Sequence, residues 1–558
     1  MAIFALSFTK LNYKINKYII GLPFVVAVAI SSGILIGATL FNNSQQKKEL
    51  DASLNKFREV IGILENDYVD TLDPEKVTEF AISKILERLD PHSNYIPLSD
   101  LELSKASLES DFEGVGVEFL IVNDTVQVIS ALNGGPSELV GILPGDRITG
   151  TDGRPFTGNH INNREVFNRL RGPKGTKIVL EITRTGISEK LKFTVTRSTI
   201  SSQSVEAAFL IKPEIGYLKL SRFSDNTFVE CHQKLSELKA KGAKSIILDL
   251  RDNPGGYLDR ATKLADEFLQ ENKLIVYTNG KNSKYNQKYY STSNGLFEDE
   301  PLIVLVNEGS ASASEIIAGA IQDNDRGLIV GRRTFGKGLV QVPISLKDGS
   351  ELRLTISRYF TPSGRSIQKE YKSDIDLYDR EMEDRFYNGE LFHRDSIIVK
   401  DFQKFETLLG RKVQGGGGIT PDLFVPLDTL FTNSFLIKLM QQNLFREYAL
   451  TYYSKNKIAL NLFRKRSGPK SLSLNSNAWI EFVNLVAAKK IEWPISKQRI
   501  ETERYITYLL KAYIARLVWG DQGFYELIIQ KDPAVISSLN HLMDAQKLLI
   551  ASRKKTNS

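Results

Sequence analysis

One cysteine in 558 residues, Cys231, excludes an internal disulfide framework and any multi-cysteine metal site. The five histidines are His92, His160, His232, His393 and His541, and no two stand at metal-ligand spacing. No metal or other cofactor is expected, and no histidine sits in a recognisable catalytic context. There is no dense Lys/Arg tract with interleaved aromatics, and a net charge of +7 is modest for this length. Nucleic acid is therefore not an expected partner. No internal repeat is present. What remains is an ordinary folding composition, 42% hydrophobic and 25% charged, in a chain too long for one core.

The uncharged, mostly apolar run from Tyr18 to Phe41 follows Lys10, Lys14 and Lys17. About 24 residues are enough to cross a bilayer as a helix. A cleavable secretory core is shorter, about 7–15 residues. The positive flank places the amino terminus in the cytoplasm and everything after Lys47 outside. The expectation is an exported, tethered protein.

From Asp51 to Leu89 the pattern is helical. Asp73-Pro74 reads as an N-cap followed by proline at the first helical position, and Val77, Ala81, Ile85 and Leu89 form a one-face ladder. From Asp111 to Arg197 short alternating strands predict a small, partly open β barrel. It carries a short helix after Asn133-Gly-Gly-Pro136 and a second at Glu165–Arg171. From Ile215 to Ser366 strands alternate with helices. Ile215–Leu220, Ser245–Leu250, Leu302–Val306 and Leu328–Val330 are the buried strands of an α/β core. Glu370–Lys412 is charged and reads as an irregular excursion, and the chain after Asp428 reads as helical.

Two segments of this core carry chemistry. Asn307-Glu-Gly-Ser-Ala-Ser-Ala-Ser-Glu315 places Ser312 where a strand gives way to a helix. Thr334-Phe-Gly-Lys-Gly-Leu-Val-Gln341 holds Lys337 between glycines, among apolar Phe335, Leu339 and Val340. A serine hydroxyl needs a base, and a lysine becomes one when burial disfavours its charged form. Gln341 can orient the amine without adding charge. The amide of Ala313 at the helix start is a natural oxyanion donor. Asp252-Asn-Pro-Gly-Gly256 offers the exposed backbone for a second donor.

These segments resemble the carboxy-terminal processing (tail-specific) protease family. The resemblance runs in order from Leu89-Asp-Pro-His-Ser93 to Gly417-Gly-Ile-Thr-Pro-Asp422. Between them lie Phe112-Glu-Gly-Val-Gly116, Leu143-Pro-Gly-Asp146, Leu170-Arg-Gly-Pro-Lys-Gly175, Leu250–Gly256, Ser310–Glu315, Phe335–Gly338 and Tyr359-Phe-Thr-Pro-Ser-Gly364. It implies a multidomain α/β protein with a crotonase/ClpP-like protease core and an inserted PDZ β-barrel. The N-terminal membrane helix comes from the apolar run, and the charged insertion and the C-terminal helical region after Asp428 lie outside that common core. The expected segments are 1–46 anchor, 47–105 helical segment, 106–198 PDZ domain, 199–427 protease core (370–412 inserted) and 428–558 helical domain. The implied roles are Ser312 as nucleophile, Lys337 as base, Gln341 as its partner, Asp323 as a supporting acid, and Ala313 with Gly255 (alternatively Gly256) as oxyanion donors. Ser310 and Ser314 are read as structural. Gly114, Val115, Gly116 and Val117 would form the carboxylate-binding loop, with Arg171 linking that domain to the core. The implied activity is a serine endopeptidase processing or degrading envelope proteins that present a free C-terminus. It would lie at a bacterial inner membrane, with most of the chain on the periplasmic side. The C-terminal region could pack on the core, assemble subunits or hold an adaptor. A catalytically silent PDZ scaffold is the alternative, and an acyl-CoA enzyme of the crotonase-like fold a more distant one.

Overall fold

The computed structural model describes residues 27–28, 30–32, 51–105, 109, 111–122, 124–132, 135–158, 161–184, 186–397, 404–428, 433–493 and 499–557. Most of the anchor expected at Tyr18–Phe41 lies outside these residues, as do Asn133 and Gly134 of the predicted turn. Among the described residues no helix is long and apolar enough to cross a membrane. The chain divides into units 1–84 and 85–558.

In the first unit, helix α1 (51–67) precedes α2 (Pro74–Glu87), which continues into the second. The Asp73 carboxylate accepts the amides of Glu75 and Lys76 at 3.1 and 3.4 Å, so the predicted cap is present. The predicted apolar ladder is displaced. Leu86 is the buried side chain, while Ile85 and Leu89 are exposed. The helix ends at Glu87, so Leu89 lies beyond it and off its face.

The second unit opens with β1 (Asn94–Ile96) and α3 (Leu98–Lys105). A β-rich module follows, comprising β2 (Asp111–Gly114), β3 (Val117–Val122), β4 (Thr125–Ala131), α4 (Pro136–Leu139), β5 (Arg147–Thr151), β6 (Arg154–Pro155), α5 (Asn163–Leu170), β7 (Lys177–Thr183), β8 (Leu191–Thr196) and β9 (Ser198–Ser201). Its main sheet runs β3-β4-β5-β7-β8, with β3 at an edge, and β2 pairs with β9. Alternating burial along β7 packs Ile178, Leu180 and Ile182 against Val126, Val128, Phe156 and Val166. Asn162 caps α5 by accepting the Glu165 amide at 3.0 Å.

The core comprises β10 (Val205–Lys212), β11 (Ile215–Leu220), α6 (Thr227–Ala240), β12 (Ser245–Asp249), α7 (Leu258–Asp266), β13 (Leu274–Gly280), β14 (Lys288–Tyr290), β15 (Leu302–Val306), α8 (Ala313–Asp323), β16 (Leu328–Gly331), β17 (Leu339–Ser345), β18 (Glu351–Phe360), α9 (Ile375–Tyr387), β19 (Lys404–Glu406), β20 (Lys412–Gln414) and β21 (Leu423–Phe424). Its main sheet is β10-β11-β12-β15-β16-β21, parallel except for β10 against β11. Every residue of β12 and β15 is buried, as strands covered on both faces must be. Helices α6, α7 and α8 cover one face. A second sheet, β1-β18-β13-β14 with β17 on β18, stands beside it.

Helices α10 (Ser434–Gln441), α11 (Leu444–Arg466), α12 (Ser476–Ala488), α13 (Arg499–Ile528) and α14 (Pro533–Asn557) confirm the helical carboxy-terminal region. An aromatic-rich cluster unites α10 to α13. The final helix behaves differently. Val535, Ala534 and Ala545 of α14 pack on Tyr217, Ile247, Ile303 and Val330, closing the other face of the core sheet. Of the roles left open for this region, packing on the core is the one its last helix performs. The segment 370–412 departs from the expected irregular excursion. It holds α9 and half of the β19–β20 hairpin, and a few of its charges, Glu381, Arg385 and Glu390, are turned inward.

Candidate active site

The Ser312 and Lys337 loops leave the core at neighbouring strand ends and are tied together by buried groups. Ser312 stands at the turn from β15 into α8, all of whose residues are buried. Its φ of 53° and ψ of −110° are unfavourable for a side chain with a Cβ. Such a turn persists only when its surroundings hold it. The flanking serines do so: Ser310 donates to the Leu250 carbonyl at 2.8 Å, and Ser314 to the Asn253 carbonyl at 3.0 Å. Both are buried and committed to backbone, as the structural reading required.

Glu315 does more. Its Oε2 accepts the amides of Ser312 (2.8 Å) and Lys337 (2.9 Å), and its Oε1 accepts the amide of Gly336 (2.7 Å) and the Thr334 hydroxyl (2.5 Å). One carboxylate thus joins the Ser312 turn to the Lys337 loop. Burial pushes this carboxyl up to about 7 against the pull of those donors. The buried Tyr359 hydroxyl lies within bonding distance of the Ser312 and Lys337 carbonyls, and the Phe335 amide donates to the Ser310 carbonyl at 3.0 Å.

The Lys337 amine donates to Gln341 Oε1 at 3.1 Å. The Gln341 amide nitrogen donates to the His92 carbonyl. A carbonyl only accepts, so Gln341 must present its oxygen to the lysine. Burial lowers the Lys337 pKa, opposed by Glu315 and Asp90. His92 is held to about 4 by burial and by the facing Lys337, so it is neutral at ordinary pH. A neutral amine keeps a lone pair for the serine proton after donating to Gln341.

The oxyanion assignment is corrected in part. The Gly255 amide donates to Asn253 Oδ1 at 2.9 Å and is occupied. Among the described residues the amides of Gly256 and Ala313 have no acceptor. Gly255 matters for its missing side chain. At φ +97° a Cβ there would sit 2.8 Å from both the Ala313 nitrogen and the Ser312 Cβ. Asp323 is fully buried against Arg365 at 2.7 Å and accepts the Ser363 amide and hydroxyl, fixing the Ser363–Arg365 turn. It supports this part of the core rather than reaching the base.

In the β-rich module, Gly116 turns at φ +70°, and the Val115 and Gly116 amides have no acceptor among the described residues. Gly114 forms an isolated bridge with Arg171, whose guanidinium stacks over Phe112 and Phe167 at 4.3 and 4.2 Å. Val117 begins the edge strand β3, paired with Ala131.

Sequence reasoning missed Glu315, Tyr359 and His92 as site residues. A signal existed for the first, since Ser312-x-x-Glu315 is the capping-box pattern. His92 comes from some 220 residues before the nucleophile and reaches the base because β1 pairs with β18.

Peptidase family S41 matches residues 214–377, and a family of unknown function (DUF8443) matches residues 435–520. A carboxy-terminal-processing protease of Bartonella bacilliformis is 36% identical over 349 residues, covering 62% of this chain and 79% of its own. A probable CtpA-like serine protease of Staphylococcus aureus is 35% identical over 359 residues, covering 63% and 70%. Among solved structures, the photosystem II D1 C-terminal processing protease is 27% identical, covers 67% of this chain and 93% of its own, and gives a TM-score of 0.34. The chain is a serine peptidase. It belongs to the carboxy-terminal-processing protease family.

Proposed function

We propose that this protein is an exported, membrane-anchored endopeptidase that cuts proteins presenting a free C-terminus, by Ser312–Lys337 catalysis. The observation that carries the reading is the Glu315 carboxylate, which binds the Ser312 and Lys337 amides together while Gln341 fixes the lysine amine. In the first step Ser312 attacks the scissile carbonyl as Lys337 takes its proton. The Ala313 and Gly256 amides stabilise the oxyanion, and the protonated lysine then returns its proton to the leaving amine. Water, deprotonated by the regenerated amine, releases the acyl-enzyme.

The unbonded Val115 and Gly116 amides beside the β3 edge support capture of a terminal carboxylate with strand addition. Arg171, stacked at that loop, is the link through which occupancy would be sensed. The lysine-flanked apolar run Tyr18–Phe41 supports anchoring at a bacterial inner membrane with the bulk of the chain in the periplasm.

The test is a protein starting near Lys47, wild type beside Ser312→Ala and Lys337→Ala, incubated with an unfolded protein ending in a free apolar C-terminus. Mass spectrometry reads the products. Cleavage by wild type and a loss of at least about a thousandfold in both variants, with peptide still bound, is expected. Turnover by Ser312→Ala would remove the nucleophile assignment. A wild type that binds and never cuts would return the scaffold reading.

A further inference from the structure

The charged segment after Glu370 does not sit apart from the chemistry. Arg385 of α9 is buried, and its guanidinium donates to the successive carbonyls of Arg333 (3.3 Å), Thr334 (2.8 Å) and Phe335 (3.2 Å). Glu381, one turn back on α9, anchors that guanidinium at 2.7 Å. Glu381 also meets Arg333 at 3.2 Å and Lys369 at 3.3 Å, and Glu390 grips Arg333 at 2.6 and 2.8 Å. The loop ahead of Lys337 is thus held from two sides. A guanidinium takes its carbonyls, and the Glu315 carboxylate takes the following amides.

A second route leads to the amine itself. The Tyr378 hydroxyl of α9 bonds His92 Nε2 at 3.0 Å, their rings meeting edge to face at 5.5 Å. The His92 carbonyl accepts from Gln341, and Gln341 accepts from the Lys337 amine. Phe335 packs against both rings, and the Lys369 ammonium lies over Tyr378 and Phe335 at 3.9 and 4.2 Å. Removing one partner of such a buried pair leaves an uncompensated charge, so these pairings tie α9 to the loop.

We propose that α9 is a positioning element for the base: Arg385 fixes the loop that carries Lys337, and Tyr378, through His92, fixes the glutamine that orients its amine. This rests on the Ser312–Lys337 reading above. Neither residue touches substrate. Both act by keeping the amine in place and water away from it.

The experiment uses the full chain and a fluorogenic peptide with a free apolar C-terminus, comparing wild type, Ser312→Ala, Tyr378→Phe, Arg385→Lys and Arg385→Gln. Tyr378→Phe keeps the ring and removes only the hydroxyl. It should lower kcat about tenfold with KM within about twofold, as expected when a general base loses alignment. Its rising limb in the kcat pH profile should move toward higher pH as water regains the lysine. Glu315, Asp90, Arg353 and His92, the titratable and charged groups facing Lys337, remain in that variant. Arg385→Gln should lose more, and Arg385→Lys should restore part of it. A folded Tyr378→Phe with wild-type kcat and an unmoved limb overturns the proposal, as does a folded Arg385→Gln with wild-type kcat. Activity in Ser312→Ala overturns the underlying catalytic reading instead, whatever the α9 variants do.

Discussion

The Lys337 loop of the core and the Val115–Gly116 loop of the β-rich module use backbone amides in opposite ways. Around Lys337 each amide has an acceptor supplied by a side chain, the buried Glu315 for Gly336 and Lys337 and the half-buried Gln368 for Gly338. Around Val115 and Gly116 the amides have none, and the adjoining β3 is half-exposed along its whole length. The first loop is finished before substrate arrives, as a site that must hold a reacting amine has to be. On the proposed function, the second is completed by a substrate carboxylate that supplies the missing acceptors. One region spends its polar groups on rigidity, and the other leaves them open.

The sharpest way to break this comparison is Glu315→Gln. The amide cannot accept at both ends, so two of the four donors lose their partner at about 1–3 kcal/mol each. Turnover should fall at least about a hundredfold and the melting temperature should drop, while peptide affinity is unchanged. Wild-type kcat in that variant would show that the clamp is dispensable.

The pH profile comes next. Burial lowers the Lys337 pKa, so the neutral base fills below the ordinary value of about 10.4, and kcat should rise with pH through that lowered value. A flat profile from mildly acidic to alkaline pH would count against a lysine base. Glu315 has the opposite sign for stability. Its carboxyl is raised to about 7, so its stabilising contribution is whole below the ordinary carboxylate range and is lost as pH rises through about 7.

Amidating the peptide's C-terminus probes the other loop. Removing the carboxylate should weaken binding about tenfold or more and leave the chemistry of bound substrate alone. Equal affinity for acid and amide would detach Val115 and Gly116 from recognition.

The smallest effect is expected at Arg516 of α13, which meets Glu118 of β3 at 3.1 Å. Both side chains are partly exposed, so Arg516→Ala should cost no more than about 1 kcal/mol of stability. A much larger loss on thermal melting would mean that the carboxy-terminal helices brace the peptide-binding edge.

Much of this was legible in the chain itself. Continuous apolar runs at Ser245–Leu250 and Leu302–Val306 announced strands covered on both faces, and the turns after them carried Ser312 and the glycine loop. Local rules also placed the Asp73 cap and, to within two residues, helix α5, because caps and turns depend on a few adjacent residues. What local rules cannot give is partnership across long separations. The second face of the sheet is closed by α14, whose Ala534, Val535 and Ala545 sit more than 200 residues beyond β15. The charges of 370–412 resembled a solvated excursion because a sequence window does not reveal which charges face each other.

The sequence by itself determined the catalytic residue types and their strand-end setting, since hydropathy period and turn chemistry are local properties. Only the tertiary structure decided that the Gly255 amide is spent on Asn253, and that His92 stands beside the base. It also decided that α9 supports the loop before Lys337. Those facts depend on which donor meets which acceptor once distant segments share one desolvated volume, where every buried polar group must find a partner.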